Sequence, residues 1–202
     1  MKRICVSAVL IALLLIVSAA SAQVNSVLDP AALEAFFDGV FSVQLAQNKV
    51  PGAEVLVVAD GEIVFSKGYG FSNLEEKTPM VPGVTLHRPG SVSKILTWLA
   101  VMQLVEQGKL DLYTDVNNYL DFSIPARTAD NRDVPPITLH HILTHTAGFE
   151  EEASGVIVSS PDLVKPLDQY VKEHVPARVF TPGSVLAYSN YGTCLAAYIV
   201  ER

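Results

Sequence analysis

Ser91 and Lys94 stand three residues apart in the stretch Gly90-Ser91-Val92-Ser93-Lys94, and the run that follows, ILTWLAVMQLV at 95–105, has only Thr97 and Gln103 as polar members. On a helix, positions i and i+3 share a face, so the hydroxyl and the amine can meet. Serine is a weak nucleophile on its own and needs a neighbouring base, for which Lys94 is the candidate. A serine in the first turn of a helix also has its own backbone N–H, and the helix dipole, aimed at any oxyanion formed there. The chemistry on offer is acyl transfer through a covalent serine ester. Spacing alone leaves a plainer alternative open, in which Ser91 caps the helix and Lys94 lies on the surface.

A second cluster, Tyr188-Ser189-Asn190, precedes an apolar helical pattern at 191–200. Alternate residues of an extended segment point the same way, so Tyr188 and Asn190 can line one cleft. A phenol beside a cation ionises below its usual pKa of about 10 and then serves as a base. Here too a bland alternative stands: Asn190 as a helix cap and Tyr188 as half-buried packing.

These residues need elements to hold them. Asp29-Pro30 is a helix start, a capping acid followed by proline, and Leu33, Phe36, Phe37, Val40, Phe41 and Leu45 recur at helical spacing through Lys49. Two strands, 53–59 and 62–66, flank the hairpin signal Asp60-Gly61. The Gly-, Pro- and Asn-rich stretch 67–90 reads as a surface loop that delivers the chain to Ser91. The helix after Ser91, apolar nearly all round, is expected to be covered on every side and to stop at Gly108. Beyond it the sequence predicts a short helical piece within 110–124, a polar loop at 125–136, a short helix from Thr138 ended by Gly148, a second polar loop at 150–160, a helix over 162–174 and the apolar helix at 191–200. A lone hairpin is marginal in water, and the sequence stops in a helix without a C-cap signal. The chain therefore reads as the front part of a longer protein.

The formal charge of −7 argues against nucleic acid as a partner, because phosphate binding needs a basic face. Lys2 and Arg3, the apolar run at 8–17 and Ala20-Ser21-Ala22 form a secretory signal peptide, residues 1–22, that leaves 23–202 as the mature chain. The apolar run is about half the roughly 20 residues of a membrane span, so no stable span is expected after cleavage, and the location is secreted or periplasmic. Cys5 leaves with the signal, and Cys194, the second of the two cysteines, reads as a packing residue. His141 and His145 have a spacing that metal sites use, but no recognisable third ligand accompanies them, so neither metal nor cofactor is expected. A Ser-His-Asp hydrolase would need a Gly-x-Ser-x-Gly elbow, which this sequence lacks.

Taken in order, the leading helix, VLVVADGEIVFSKGYG, RPGSVSK at 88–94, ITLHHILTHTAG at 137–148 and FTPGSVLAYSNYG at 180–192 resemble the serine β-lactamase and penicillin-binding protein superfamily. The likeness is greatest to its class C β-lactamase-related group, which includes D,D-peptidases and esterases, and covers residues 30–202. The resemblance implies an α+β fold of the β-lactamase/transpeptidase type, an antiparallel sheet flanked by helices with an inserted, mostly helical subdomain. It also implies that Ser91 is the acylated nucleophile, Lys94 its proton acceptor, Tyr188 the proton shuttle to the leaving group and Asn190 a substrate-amide contact. The helix ending in Thr-His-x-x-Gly would shape the floor of the site. The substrate would be a β-lactam, a D-alanyl peptide of the cell wall or a small ester. His87 and Pro89 depart from the apolar residues usual in the family. The family's third motif, Lys-Thr-Gly or His-x-Gly on a later strand, has no counterpart in 191–202, nor has the second oxyanion N–H which that strand supplies. A different class of function therefore stays open: a non-catalytic binding or remnant protein on the same scaffold.

Overall fold

A computed structural model describes residues 29–151, 155 and 157–202; the expected signal peptide lies outside the described residues. The chain divides into two compact units, Met1–Arg88 and Pro89–Arg202. Among the described residues, no helix is long and apolar enough to cross a membrane.

In the first unit, helix α1 (Pro30–Asn48) begins as the sequence predicts, with the Asp29 carboxylate accepting from the Ala31 N–H at 3.2 Å, and ends at Lys49 in the left-handed conformation. Strands β1 (Gly52–Ala59) and β2 (Glu62–Asn73) pair antiparallel around the Asp60-Gly61 turn, where both residues have positive φ. The α1 stripe packs on β2: the Phe37 ring stacks on Phe65 at 5.4 Å, and Phe41 on Tyr69 at 4.7 Å. Beside these rings Lys67 joins Glu34 and Asp38, and the Tyr69 hydroxyl donates to Asp38.

Two expectations fail here. Strand β2 runs on to Asn73 through the glycines that read as loop, and a third strand, β3 (Thr78–Pro79), pairs with it. The glycines in β2 are explained by crowding. A Cβ on Gly68 would lie 2.1 Å from the Met80 carbonyl oxygen, so the returning chain needs a residue without a side chain at that point.

The second unit is mostly helical. A 3₁₀ turn (Gly90–Ser93) leads into α2 (Lys94–Glu106), followed by a 3₁₀ turn at Val116–Tyr119, α3 (Leu139–Leu143), a 3₁₀ turn at Pro161–Leu163, α4 (Leu167–Glu173) and α5 (Asn190–Glu201). The predicted helix over 162–174 is interrupted at Pro166: proline disfavours helical backbone at Lys165, the residue before it, so only a 3₁₀ turn forms at Pro161–Leu163 and α4 starts after Pro166. Helix α2 ends before Gly108, as expected, but the rest of the second unit does not cover it all round. Val101 is fully buried and Trp98 and Val105 pack against the core, while Ile95, Leu96, Leu99 and Met102 are exposed. An apolar sequence sets the capacity to be buried, and the second unit by itself covers only one face.

The hub of this unit is α5, which packs against α2, α3 and α4. Tyr191, Leu195, Ala196, Tyr198 and Ile199 are all buried, and the Tyr191 hydroxyl donates to the Val171 carbonyl at 2.8 Å. Cys194 is half-buried beside this core. The polar loop at 125–136 is held by buried Arg178, whose guanidinium donates to the Pro125 and Pro135 carbonyls, each at 2.8 Å.

The segment 145–150 runs alongside 177–187. Glu150 N–H donates to Ala177 O, Val179 and Phe180 N–H to Gly148 O, Gly183 N–H to Thr146 O and Ala187 N–H to His145 O. Gly148 sits at the tightest point of this pairing: its φ is +81°, and a Cβ there would lie 2.2 Å from the Phe180 carbonyl oxygen. Gly148→Ala should therefore cost more than about 1 kcal/mol, lowering Tm by several degrees. Gly39→Ala, in α1 with nothing within 4 Å of the added methyl, should raise it, at roughly 0.5–1 kcal/mol. Thermal unfolding of the two variants checks both signs.

Candidate active site

The 3₁₀ turn at Gly90–Ser93 presents Ser91 on its outer side. Its cap position is held by Pro89 without any side-chain hydrogen bond, so Ser91 does not act as a helix cap. The hydroxyl that bonds back to the turn is that of Ser93, which donates to the Gly90 carbonyl at 2.5 Å. Lys94, the first residue of α2, is half-buried, and its Nζ lies 3.2 Å from Ser91 Oγ. The spacing of three thus brings hydroxyl and amine together as the helical geometry requires.

The Tyr188 cluster arrives from the far end of the unit. Ser189, not Asn190, caps α5: its hydroxyl accepts from the Gly192 N–H at 3.0 Å, and burial of Ser189 fixes that geometry. Asn190 becomes the first helical residue, and its side chain is free for other work. Asn190 Oδ1 accepts from Lys94 Nζ at 2.7 Å, across 96 residues of sequence. Tyr188, in the extended residues before the cap, donates its hydroxyl to Ser91 Oγ at 2.6 Å. Tyr188 is 43% exposed, so the Ser91–Tyr188 pair faces solvent and not packing. All four sequence-predicted residues, Ser91, Lys94, Tyr188 and Asn190, therefore meet in one cluster within the second unit.

The electrostatics of the cluster follow from its one shared cation. The Lys94 ammonium, 4.9 Å from the centre of the Tyr188 ring, and the hydrogen bond with Ser91 together hold the Tyr188 phenol below its ordinary value. Nearby Glu151 pulls the other way. A tyrosine shifted down in this manner spends more time as phenolate, the form that can accept the serine proton.

His145 makes the floor beneath Tyr188. It takes a left-handed backbone turn (φ 55°), its ring lies 4.5 Å from the Tyr188 ring at 32°, and its Nδ1 accepts from the Ser189 N–H at 3.3 Å. Burial, and then Lys94, push its pKa down, which keeps the ring neutral and able to accept. His141 faces elsewhere: its Nδ1 accepts from the Thr138 N–H at 3.2 Å, closing the cap of α3. The two histidines serve separate structural tasks, and among the described residues no group of three His, Cys, Asp or Glu side chains is placed to hold a metal. The Cys194 thiol is pushed up by burial, the opposite of what a nucleophile needs.

Sequence reasoning missed Glu151. Its carboxylate accepts from the Asn190 side-chain amide at 2.6 Å and from the Asn190 backbone N–H at 3.0 Å. A glutamate in a polar loop has no periodicity or spacing to mark it; its position shortly after the THTAG turn was the available hint.

Residues 37–202 match the family model described as Beta-lactamase. The chain is 40% identical to the esterase EstB of Burkholderia gladioli, over 87% of this chain and 46% of EstB. Among solved structures, EstCE1, described as a hydrolase with promiscuous acyltransferase activity, superposes with a TM-score of 0.70 at 29% identity, over 85% of this chain and 48% of EstCE1. An octameric penicillin-binding protein homologue from Pyrococcus abyssi gives a TM-score of 0.64 at 30% identity, over 86% of this chain and 39% of its own. The chain thus spans less than half the length of these relatives.

The Tyr188 shift is measurable by ultraviolet difference titration. The Tyr188 phenol should ionise at lower pH than an ordinary tyrosine, a contribution that is lost in Tyr188→Phe and moves upward in Lys94→Gln. Identical curves for the parent and Tyr188→Phe below pH 10 would contradict the assignment.

Proposed function

From a chain that belongs to the Beta-lactamase family, we propose a serine hydrolase or acyltransferase that works through an acyl-enzyme on Ser91. The observation that carries this reading is the convergence of Tyr188 Oη at 2.6 Å and Lys94 Nζ at 3.2 Å on one hydroxyl oxygen. Both distances are within the reach of direct proton transfer.

The steps follow from the geometry. Ser91 Oγ forms a bond to the acyl carbon while its proton passes to the Tyr188–Lys94 pair. The carbonyl π electrons move onto oxygen, and the backbone N–H of Ser91, in the first turn of its helix, stabilises that oxyanion. Collapse breaks the bond to the leaving group, which takes the proton from Tyr188 and departs as an alcohol or amine. Water then attacks the Ser91 ester by the same route in reverse, releasing the acid and restoring the serine hydroxyl. An alcohol in place of water would make the step acyl transfer. Asn190 has a positioning role: by accepting from Lys94 it holds the ammonium between Ser91 and Tyr188.

The acyl donor is a small ester, a β-lactam or a D-alanyl peptide; the identity with EstB supports the ester. Turnover of a chromogenic ester and a chromogenic cephalosporin by the protein tests the proposal. Ser91→Ala should fall to the background rate, and Lys94→Ala and Tyr188→Phe should lose roughly 10²–10⁴-fold in kcat. Turnover equal in the parent and Ser91→Ala would overturn it, and would leave the scaffold as a non-catalytic binder.

A further inference from the structure

The mechanism above makes no use of Glu151, yet its carboxylate is bound to a member of the cluster. Its oxygens occupy the two Asn190 donors on this side of the site, the backbone N–H and the side-chain amide. That backbone N–H belongs to the first residue of the twelve-residue helix α5, where the dipole favours an anion. Glu151 is thus the anion that α5 already holds. Lys94, the cation in contact with Ser91, is engaged in turn with Asn190 Oδ1.

The charge of Glu151 also reaches the reacting groups: it raises both Tyr188 and His145, against the lowering effect of Lys94 on each. A substrate that brings its own carboxylate near the scissile carbonyl meets this charge. It also finds the Asn190 donors covered, so that binding there requires displacing a charge-assisted hydrogen bond. An uncharged acyl chain needs neither donor and suffers no repulsion.

We infer, on the reading of Ser91 as nucleophile, that Glu151 is a specificity-determining residue that turns this site toward uncharged acyl esters and away from substrates carrying a carboxylate close to the reacting carbonyl. It works by repulsion as much as by attraction, which is how binding sites commonly separate related ligands.

The test compares kcat/KM for p-nitrophenyl butyrate and p-nitrophenyl hemisuccinate, esters of similar size that differ by one negative charge. The parent protein should prefer the butyrate by at least about tenfold at low salt, and the preference should shrink as ionic strength rises, since exposed charges are screened. Glu151→Gln keeps an acceptor for Asn190 and removes the charge; it should narrow the preference about tenfold. Glu151→Lys should narrow it further or reverse it. A purely structural role for Glu151 would change stability and both esters alike. An anionic-to-neutral ratio that is unmoved by either substitution and by salt overturns the inference while leaving the acyl-enzyme intact. Absence of Ser91-dependent turnover of both esters overturns the functional reading and this inference with it.

Discussion

The contact on which the site depends is the 2.7 Å hydrogen bond from Lys94 Nζ to Asn190 Oδ1. It joins the first residue of α2 to the first residue of α5, two helix starts separated by 96 positions of chain. Each helix delivers half of a reactive group. One brings the Ser91 hydroxyl, and the other brings the phenol that faces it. Neither half has much chemistry alone, because a serine without a base and a tyrosine without a cation are both close to inert at neutral pH. The bond costs little to keep, since Asn190 is also fixed by its backbone in a buried, capped helix.

What holds the two halves in register is apolar. Helix α5 is the centre of the second unit, with Tyr191, Leu195 and Ala196 at or near zero exposure, and its cap residue Ser189 is buried as well. Deep burial of one helix fixes where its N-terminus points. The run from His145 to Glu150 then guides the incoming chain: its carbonyls accept from Phe180, Gly183 and Ala187, and its His145 ring supports Tyr188. Packing in the core thereby positions the groups at the surface, as preorganised catalysis requires.

Much of this was legible in the sequence. Asp29-Pro30, Asp60-Gly61 and the Ser91–Lys94 spacing are local signals, and each acts within a few residues of where it is written. The prediction that Tyr188 and Asn190 reach one cleft rested on strand alternation, and both residues do reach the cluster, although Asn190 does so from the first turn of a helix. With the exception of the break at Pro166, the failures are non-local. Strand β3 is two residues long, pairs with Phe71 and Asn73 of β2 and is followed by Met80 lying over Gly68, contacts no periodicity announces. The apolar run of α2 promised cover on every side, yet which faces are covered depends on partners elsewhere in the chain. The role of α5 as hub and the grip of Glu151 on Asn190 are likewise properties of assembly. Pro166 was visible beforehand, and only the weight of helical periodicity around it concealed the break.

Acylation of Ser91 is best tested on the covalent species itself. The protein is mixed with an activated ester, quenched in acid within the steady state and measured as intact mass and as digested peptides. One acyl group per chain is expected, carried by the peptide that contains Ser91, with no adduct in Ser91→Ala. An unmodified Ser91 peptide during turnover, or an acyl group found on another residue, would contradict it.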